Sequence, residues 1–183
     1  MTQTILANVL QEHSLEAQGY DDIFKRLMDI VRDRRIDEAM GKDIQKLILD
    51  YLAENPPREF DRFSDKSYLR TYIGRDEATG WEAIMMSWRE GNVTSIHAHP
   101  QFAGYHFADG RFRLEIFEPA ADGKARRIKD VTITAPCAFY AIGDEGSFEN
   151  HIHRITCLSP TGHSLHVYSD DARQGKVYEE EEI

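Results

Sequence analysis

The chain is short of cysteine, of clustered basic residues and of long apolar runs, and each shortage closes off a class of function. Cys137 and Cys157 are the two cysteines among 183 residues. Neither belongs to a C-x-x-C pair, and both are read as reduced thiols. No stretch approaches the roughly 20 apolar residues of a membrane span. The opening Met1-Thr2-Gln3-Thr4-Ile5-Leu6 lacks the basic region and long apolar run of a secretory signal, so a cytoplasmic protein is expected. The formal net charge is −10 and no Lys/Arg cluster stands out, which makes nucleic acid and anionic membrane poor partners. Some of that charge lies in Glu179-Glu180-Glu181-Glu182, read as a solvated end. No Gly-rich dinucleotide fingerprint is present.

What the chain does have is enough apolar and aromatic content, 41% and 10%, for a core in one domain. Its first third carries helical periodicity. Phe24, Leu27, Met28 and Val31 follow i, i+3, i+4, i+7, and Ile44, Leu47, Ile48, Tyr51 and Leu52 repeat the stripe. Ile5, Leu6, Val9 and Leu10 suggest a shorter helix before them. Asn55-Pro56-Pro57 ends this regime, because proline cannot continue the helical ladder. After about residue 66 the period becomes 2. Phe112, Leu114 and Ile116 alternate with Arg111, Arg113 and Glu115, and Val131 and Ile133 alternate with threonines. Turns are expected at Ala78-Thr79-Gly80, Asp109-Gly110, Asp122-Gly123, Gly143 to Gly146 and Thr161-Gly162. Helices followed by many short strands imply either an α+β fold or a helical annex on a mainly β barrel.

Seven of the eight histidines lie between positions 97 and 166. On a strand, residues i and i+2 share a face, so His97 and His99 can converge on one point. They can equally be two half-buried, hydrogen-bonded strand histidines. His151-Ile152-His153 repeats the spacing about fifty residues later. Three neutral imidazoles would suit Fe, Zn, Cu or Ni. Ser164, His166 and Tyr168 share one face of a strand whose other face carries Leu165 and Val167. That trio either faces water or forms a buried hydrogen-bonded relay. Arg70, between Tyr68 and Tyr72, is either a surface arginine lying along its own stem or a bidentate carboxylate clamp.

Taken together, Tyr68-Leu69-Arg70, Ser87-Trp88-Arg89-Glu90-Gly91, Ser95-Ile96-His97-Ala98-His99, His153-Arg154 and Ser164-Leu165-His166-Val167-Tyr168-Ser169 resemble the thiol dioxygenases, cysteine dioxygenase above all. The resemblance runs from about residue 43 to residue 170. It implies a single domain over 1–183: a helical lead-in (1–58), a jelly-roll-like cupin β-barrel (66–170) and an acidic tail (171–183). It implies iron(II), Fe(2+), on His97, His99 and His153. Arg70 would hold the substrate carboxylate with help from the Tyr68 hydroxyl, and Ser164, His166 and Tyr168 would serve as the relay. The implied reaction oxidises L-cysteine to cysteine sulfinic acid with O2.

The chain also departs from that family. Members with a cysteine after the second histidine crosslink it to the relay tyrosine, whereas here Ala103 or Gly104 stands at that place. No glutamate offers a fourth ligand, and Ser169-Asp170-Asp171 replaces a common proline. His151 is an extra, expected at an exposed edge or beside the ligands. His106 and His163 are read as surface residues, and His13 receives no role. A dioxygenase for 3-mercaptopropionate is the neighbouring possibility, although a glutamine commonly replaces the arginine in that subgroup. A metal-binding cupin that senses a small ligand, and a zinc or nickel isomerase or hydrolase, are readings of other classes. Nothing in the sequence sets the oligomeric state.

Overall fold

A computed structural model describes residues 20–181. The short helix expected around Ile5 to Leu10, and His13, lie outside the described residues. Helix α1 spans Tyr20–Val31 and α2 spans Glu38–Glu54. In α1 the fully buried stripe is Tyr20, Ile23, Leu27 and Val31, with Phe24 and Met28 packed along its border. In α2 it is Met40, Ile44, Leu47, Ile48, Tyr51 and Leu52. Asp37 caps α2, its carboxylate accepting the Met40 N–H at 2.8 Å and so satisfying one amide that the first turn leaves open. Asn55 closes the other end by donating its backbone N–H and its side-chain amide to the Tyr51 carbonyl.

Ten strands follow: β1 (Leu69–Arg75), β2 (Glu82–Arg89), β3 (Ile96–His99), β4 (Phe102–Asp109), β5 (Arg111–Pro119), β6 (Lys124–Thr134), β7 (Cys137–Ile142), β8 (Asn150–Cys157), β9 (Thr161–Tyr168) and β10 (Val177–Glu180). Pairing is nested: β5 with β6, β4 with β7, β3 with β8 and β2 with β9, all antiparallel. Folding such a nest over itself yields two facing sheets, the jelly-roll barrel of the cupins. One sheet runs β1-β2-β9-β4-β7; the other runs β3-β8-β5-β6 and is closed by β10. The helices cover the outer face of the first sheet, where α2 lies on β4 and β7. Central strand β9 is therefore buried on both faces. Leu165 and Val167 pack under the helices, and Ser164, His166 and Tyr168 point into the barrel.

Three local expectations are corrected. Thr161-Gly162 is not a turn but the start of β9; the chain turns at Ser159-Pro160. Gly162 is needed there because a Cβ would strike the Phe112 ring and crowd the Asp109 carbonyl. The acidic run is not simply a solvated end. Tyr178 buries its ring, β10 pairs with β3 and with β6, and Arg154 donates to the Glu180 carboxylate at 3.0 Å. Glu115, expected on the polar side of β5, is 1% exposed and is held by Arg154 and Arg127 at 2.6–2.8 Å.

Candidate metal centre

Strands β3 and β8 bring His97, His99 and His153 together. His97 lies directly across from His153, but His99 lies across from Asn150. Between those pairs β3 advances two residues while β8 goes back three, so β8 carries one extra residue, a β-bulge. The ligand atoms of the three histidines lie within 4.8 Å of one another, and the His99 and His153 Nε2 atoms are 3.4 Å apart. Two imidazole nitrogens each about 2.1 Å from one ion stand about 3.4 Å apart at a tetrahedral angle. The His99–His153 spacing therefore fits a shared cation, with the His97 nitrogen within 4.8 Å of both.

The electrostatics agree with that fit. Burial lowers the His97 pKa to about 4. Burial, and then the charge each histidine would place on its neighbours, pushes His99 and His153 well below the ordinary imidazole value. All three are neutral at pH 7 and can offer lone pairs. The His97 Nδ1–H donates to the Ser95 carbonyl at 2.9 Å, leaving Nε2 as the acceptor nitrogen. The His99 ring is stacked on Tyr168 at 5.2 Å and 9°. Among the described residues no cysteine or carboxylate joins this group.

Beside it lies a continuous hydrogen-bonded chain. Trp88 Nε1–H donates to Ser164 Oγ at 2.9 Å; Ser164 Oγ and His166 Nε2 are 2.8 Å apart, as are His166 Nδ1 and the Tyr168 hydroxyl. Indole nitrogen can only donate. The assignment that pairs every internal hydrogen has the Ser164 hydroxyl donating to Nε2 and the Nδ1–H donating to the Tyr168 oxygen. The Tyr168 proton is then left to point into the site. Burial keeps His166 neutral and raises the Tyr168 pKa, so the phenol holds that proton.

Arg70 faces the same interior. It shares a cross-sheet row with Met86, Ser164 and Phe107. It is 5% exposed, its Nε has no hydrogen-bond partner, and its guanidinium lies 5.6 Å from the Tyr72 ring centroid. Its charge contributes to lowering His97 and His166 and partly offsets the effect of burial on Tyr168. Tyr68 is half-buried and stacks on Trp88 at 4.5 Å.

Two histidines sit differently from expectation, and a third is placed by the bulge: His151 is half-buried beside the ligands, lining the same cavity as His153 but outside the ligand group. Its φ is +56°, and its Nε2 lies 3.2 Å from the Gln101 carbonyl. His106 is fully buried, not on the surface, with Nδ1 3.0 Å from the Leu165 carbonyl, since α2 covers that face of β4. His163 is also buried, bonded to Asp109 at 2.9 Å and roofed by the Phe60–Phe63 segment. The register sets Ala103, rather than Gly104, directly across from Tyr168.

Sequence reading passed over two interior residues. Trp88 lay inside a matching segment, yet its indole N–H had no visible acceptor. Tyr105 occupies the inward phase of β4 between Ala103 and Phe107, a signal the alternation did carry. It meets His153 edge-on at 5.0 Å and His166 at 5.2 Å.

Among known proteins, a family model described as cysteine dioxygenase type I matches residues 9–181. No curated protein matches. One similar solved structure is an uncharacterized conserved protein with a double-stranded β-helix domain from Klebsiella pneumoniae. It is 13% identical, covers 67% of this chain and 88% of its own, and has a TM-score of 0.48. Another is a cupin superfamily protein from Desulfitobacterium hafniense, 9% identical, covering 63% and 89%, with a TM-score of 0.46.

Proposed function

Because the chain belongs to the cysteine dioxygenase type I family, we propose that it is an iron(II)-dependent thiol dioxygenase that converts L-cysteine and O2 to cysteine sulfinic acid. The observation that carries the choice of a carboxylate-bearing thiol is Arg70, a buried guanidinium with an unpartnered Nε on the interior row beside the relay, and an arginine where the 3-mercaptopropionate subgroup commonly has glutamine favours cysteine. Leaving a buried guanidinium Nε without a hydrogen-bond partner is costly, and a substrate carboxylate supplies that partner bidentately. The Tyr68 hydroxyl adds a donor to the same carboxylate.

Iron(II) held by His97, His99 and His153 would supply the point where thiolate and dioxygen meet and electrons pass between them. The chain itself positions and shields. Tyr168 offers its proton beside the reacting sulfur; His166 fixes the direction of that phenol, and Ser164 and Trp88 fix His166. Trp88, Tyr105 and Phe107 exclude water. The overall change balances without an external reductant: RSH and O2 give RSO2H, both oxygen atoms ending on sulfur, with four electrons supplied by the thiol. A cytoplasmic site of action, with the thiol and O2 as partners, belongs to this reading. Among the described residues no helix is long and apolar enough to cross a membrane.

The test joins metal analysis with oxygen uptake. Purified protein is expected to hold iron, consume O2 in proportion to cysteine and release sulfinate. His97→Ala is expected to lose both iron and turnover. Preference for 3-mercaptopropionate over cysteine would overturn the substrate assignment. Zinc at full occupancy with no thiol-dependent oxygen uptake would reject the dioxygenase.

A further inference from the structure

The proposed reaction must bring two unlike reactants to one place, a charged thiol and an apolar gas. The first sheet has two edges. On β1 stand Arg70 and Tyr72, with Tyr68 just before the strand, and Arg70's charge is felt at His97, His166 and Tyr168. The other edge, β7, lies four strands away, roughly 19 Å at about 4.8 Å per strand. There a cavity of about 250 Å³ is walled mainly by Leu114, Ile116, Phe139 and Ala141, with His151 and Tyr140 also on its lining, and reaches Tyr105 and His153. No Asp, Glu, Lys or Arg lines it. Ala141, a small side chain on the lining, pairs in register with Ala103, which lies across from Tyr168. Tyr105 is 1% exposed and its hydroxyl has no partner.

We propose that this cavity is the entry through which dioxygen reaches the metal centre, separate from the approach of the thiol past Arg70. The inference rests on the dioxygenase reading above. Apolar walls favour a small apolar solute over water and penalise a zwitterion, which would leave its hydration behind without a charged partner. The Tyr105 ring meets His153 at the inner end of the cavity, and its unpartnered hydroxyl is a free donor there.

Xenon is a suitable probe, since apolar cavities of this size take it up. Crystals of the metal-free protein under xenon pressure are expected to show xenon between Phe139 and Ala141. Ala141→Phe should fill the cavity and raise the KM for O2 roughly fivefold or more, with the KM for cysteine, kcat at saturating O2 and iron content unchanged. Absence of xenon from the cavity overturns the inference whether or not the wild type turns over, and needs no variant to fold. An unchanged KM for O2 in an iron-retaining Ala141→Phe protein also overturns it, as does a raised KM for cysteine. Failure of iron-loaded wild type to oxidise any thiol removes the dioxygenase reading instead, and xenon uptake then reports on the cavity alone.

Discussion

Trp88 sets the direction of the whole hydrogen-bonded chain, because an indole N–H cannot accept. Trp88→Phe should leave Ser164 without its donor. A loss of about 1–3 kcal/mol is expected in urea unfolding, together with lowered kcat and retained iron. Loss of iron would mean that Trp88 supports the ligands instead. His106 makes a separate prediction. Its folded pKa is depressed from 6.5 to about 4 by burial, so in that window the unfolded chain binds the extra proton. Stability then falls as pH drops from 6.5 towards 4, by on the order of 3 kcal/mol from this group. His106→Phe should show a shallower acid limb in the pH dependence of metal-free unfolding. Ala103→Cys would place a thiol across from the Tyr168 ring. After incubation with iron and air, intact mass should fall by two hydrogens if a thioether forms, and an unchanged mass would show that the ring edge is out of reach.

At the scale of elements, what could be read from the chain depended on whether alternation survived. His97 and His99 were legible because β3 is regular, and Ser164, His166 and Tyr168 because β9 has no bulge. His151 was not, since one additional residue in β8 re-aims it, and no period-2 reading anticipates a bulge. His106 and His163 were missed for another reason. Periodicity separates two faces but does not say that helices or a loop will cover the outer one. Strand β10 hid among glutamates because Arg154 and Arg127 neutralise what reads as a charged tail. Two expectations follow for these elements. A Cβ on Gly175 would run into the Ala98 carbonyl, so Gly175→Ala should push the β10 lead-in off β3, lowering both the melting temperature and the affinity of the histidine cluster for metal. Hydrogen bonds from Arg154, then from Arg127, hold the Glu115 carboxyl below its usual 4.5. The stability it contributes is present above that value and is lost as pH falls below it. Glu115→Gln should therefore destabilise at neutral pH and converge with wild type in strong acid.

For the molecule as a whole, metal and fold are thermodynamically linked, because the three histidines meet only in the closed barrel. Free iron(II) at about 100 times its dissociation constant would add about 2.7 kcal/mol, or about 5–10 °C for a chain of this length. Chelation should remove that increment in anaerobic calorimetry. The nested pairing has a further consequence, in time rather than in energy. Residues 82–89 pair locally with β1 on one side, but on the other they find their partners only at residues 161–168, enclosing the β3–β8, β4–β7 and β5–β6 pairs between them. Long closures of this kind form slowly. On a ribosome the innermost pair, β5 and β6, can form while β8 and β9 are still unmade, yet the third histidine and the relay arrive only with those last strands. Metal loading would therefore wait on β8 and β9, and the rate at which a refolding chain acquires iron would serve as a clock for closure of those strands.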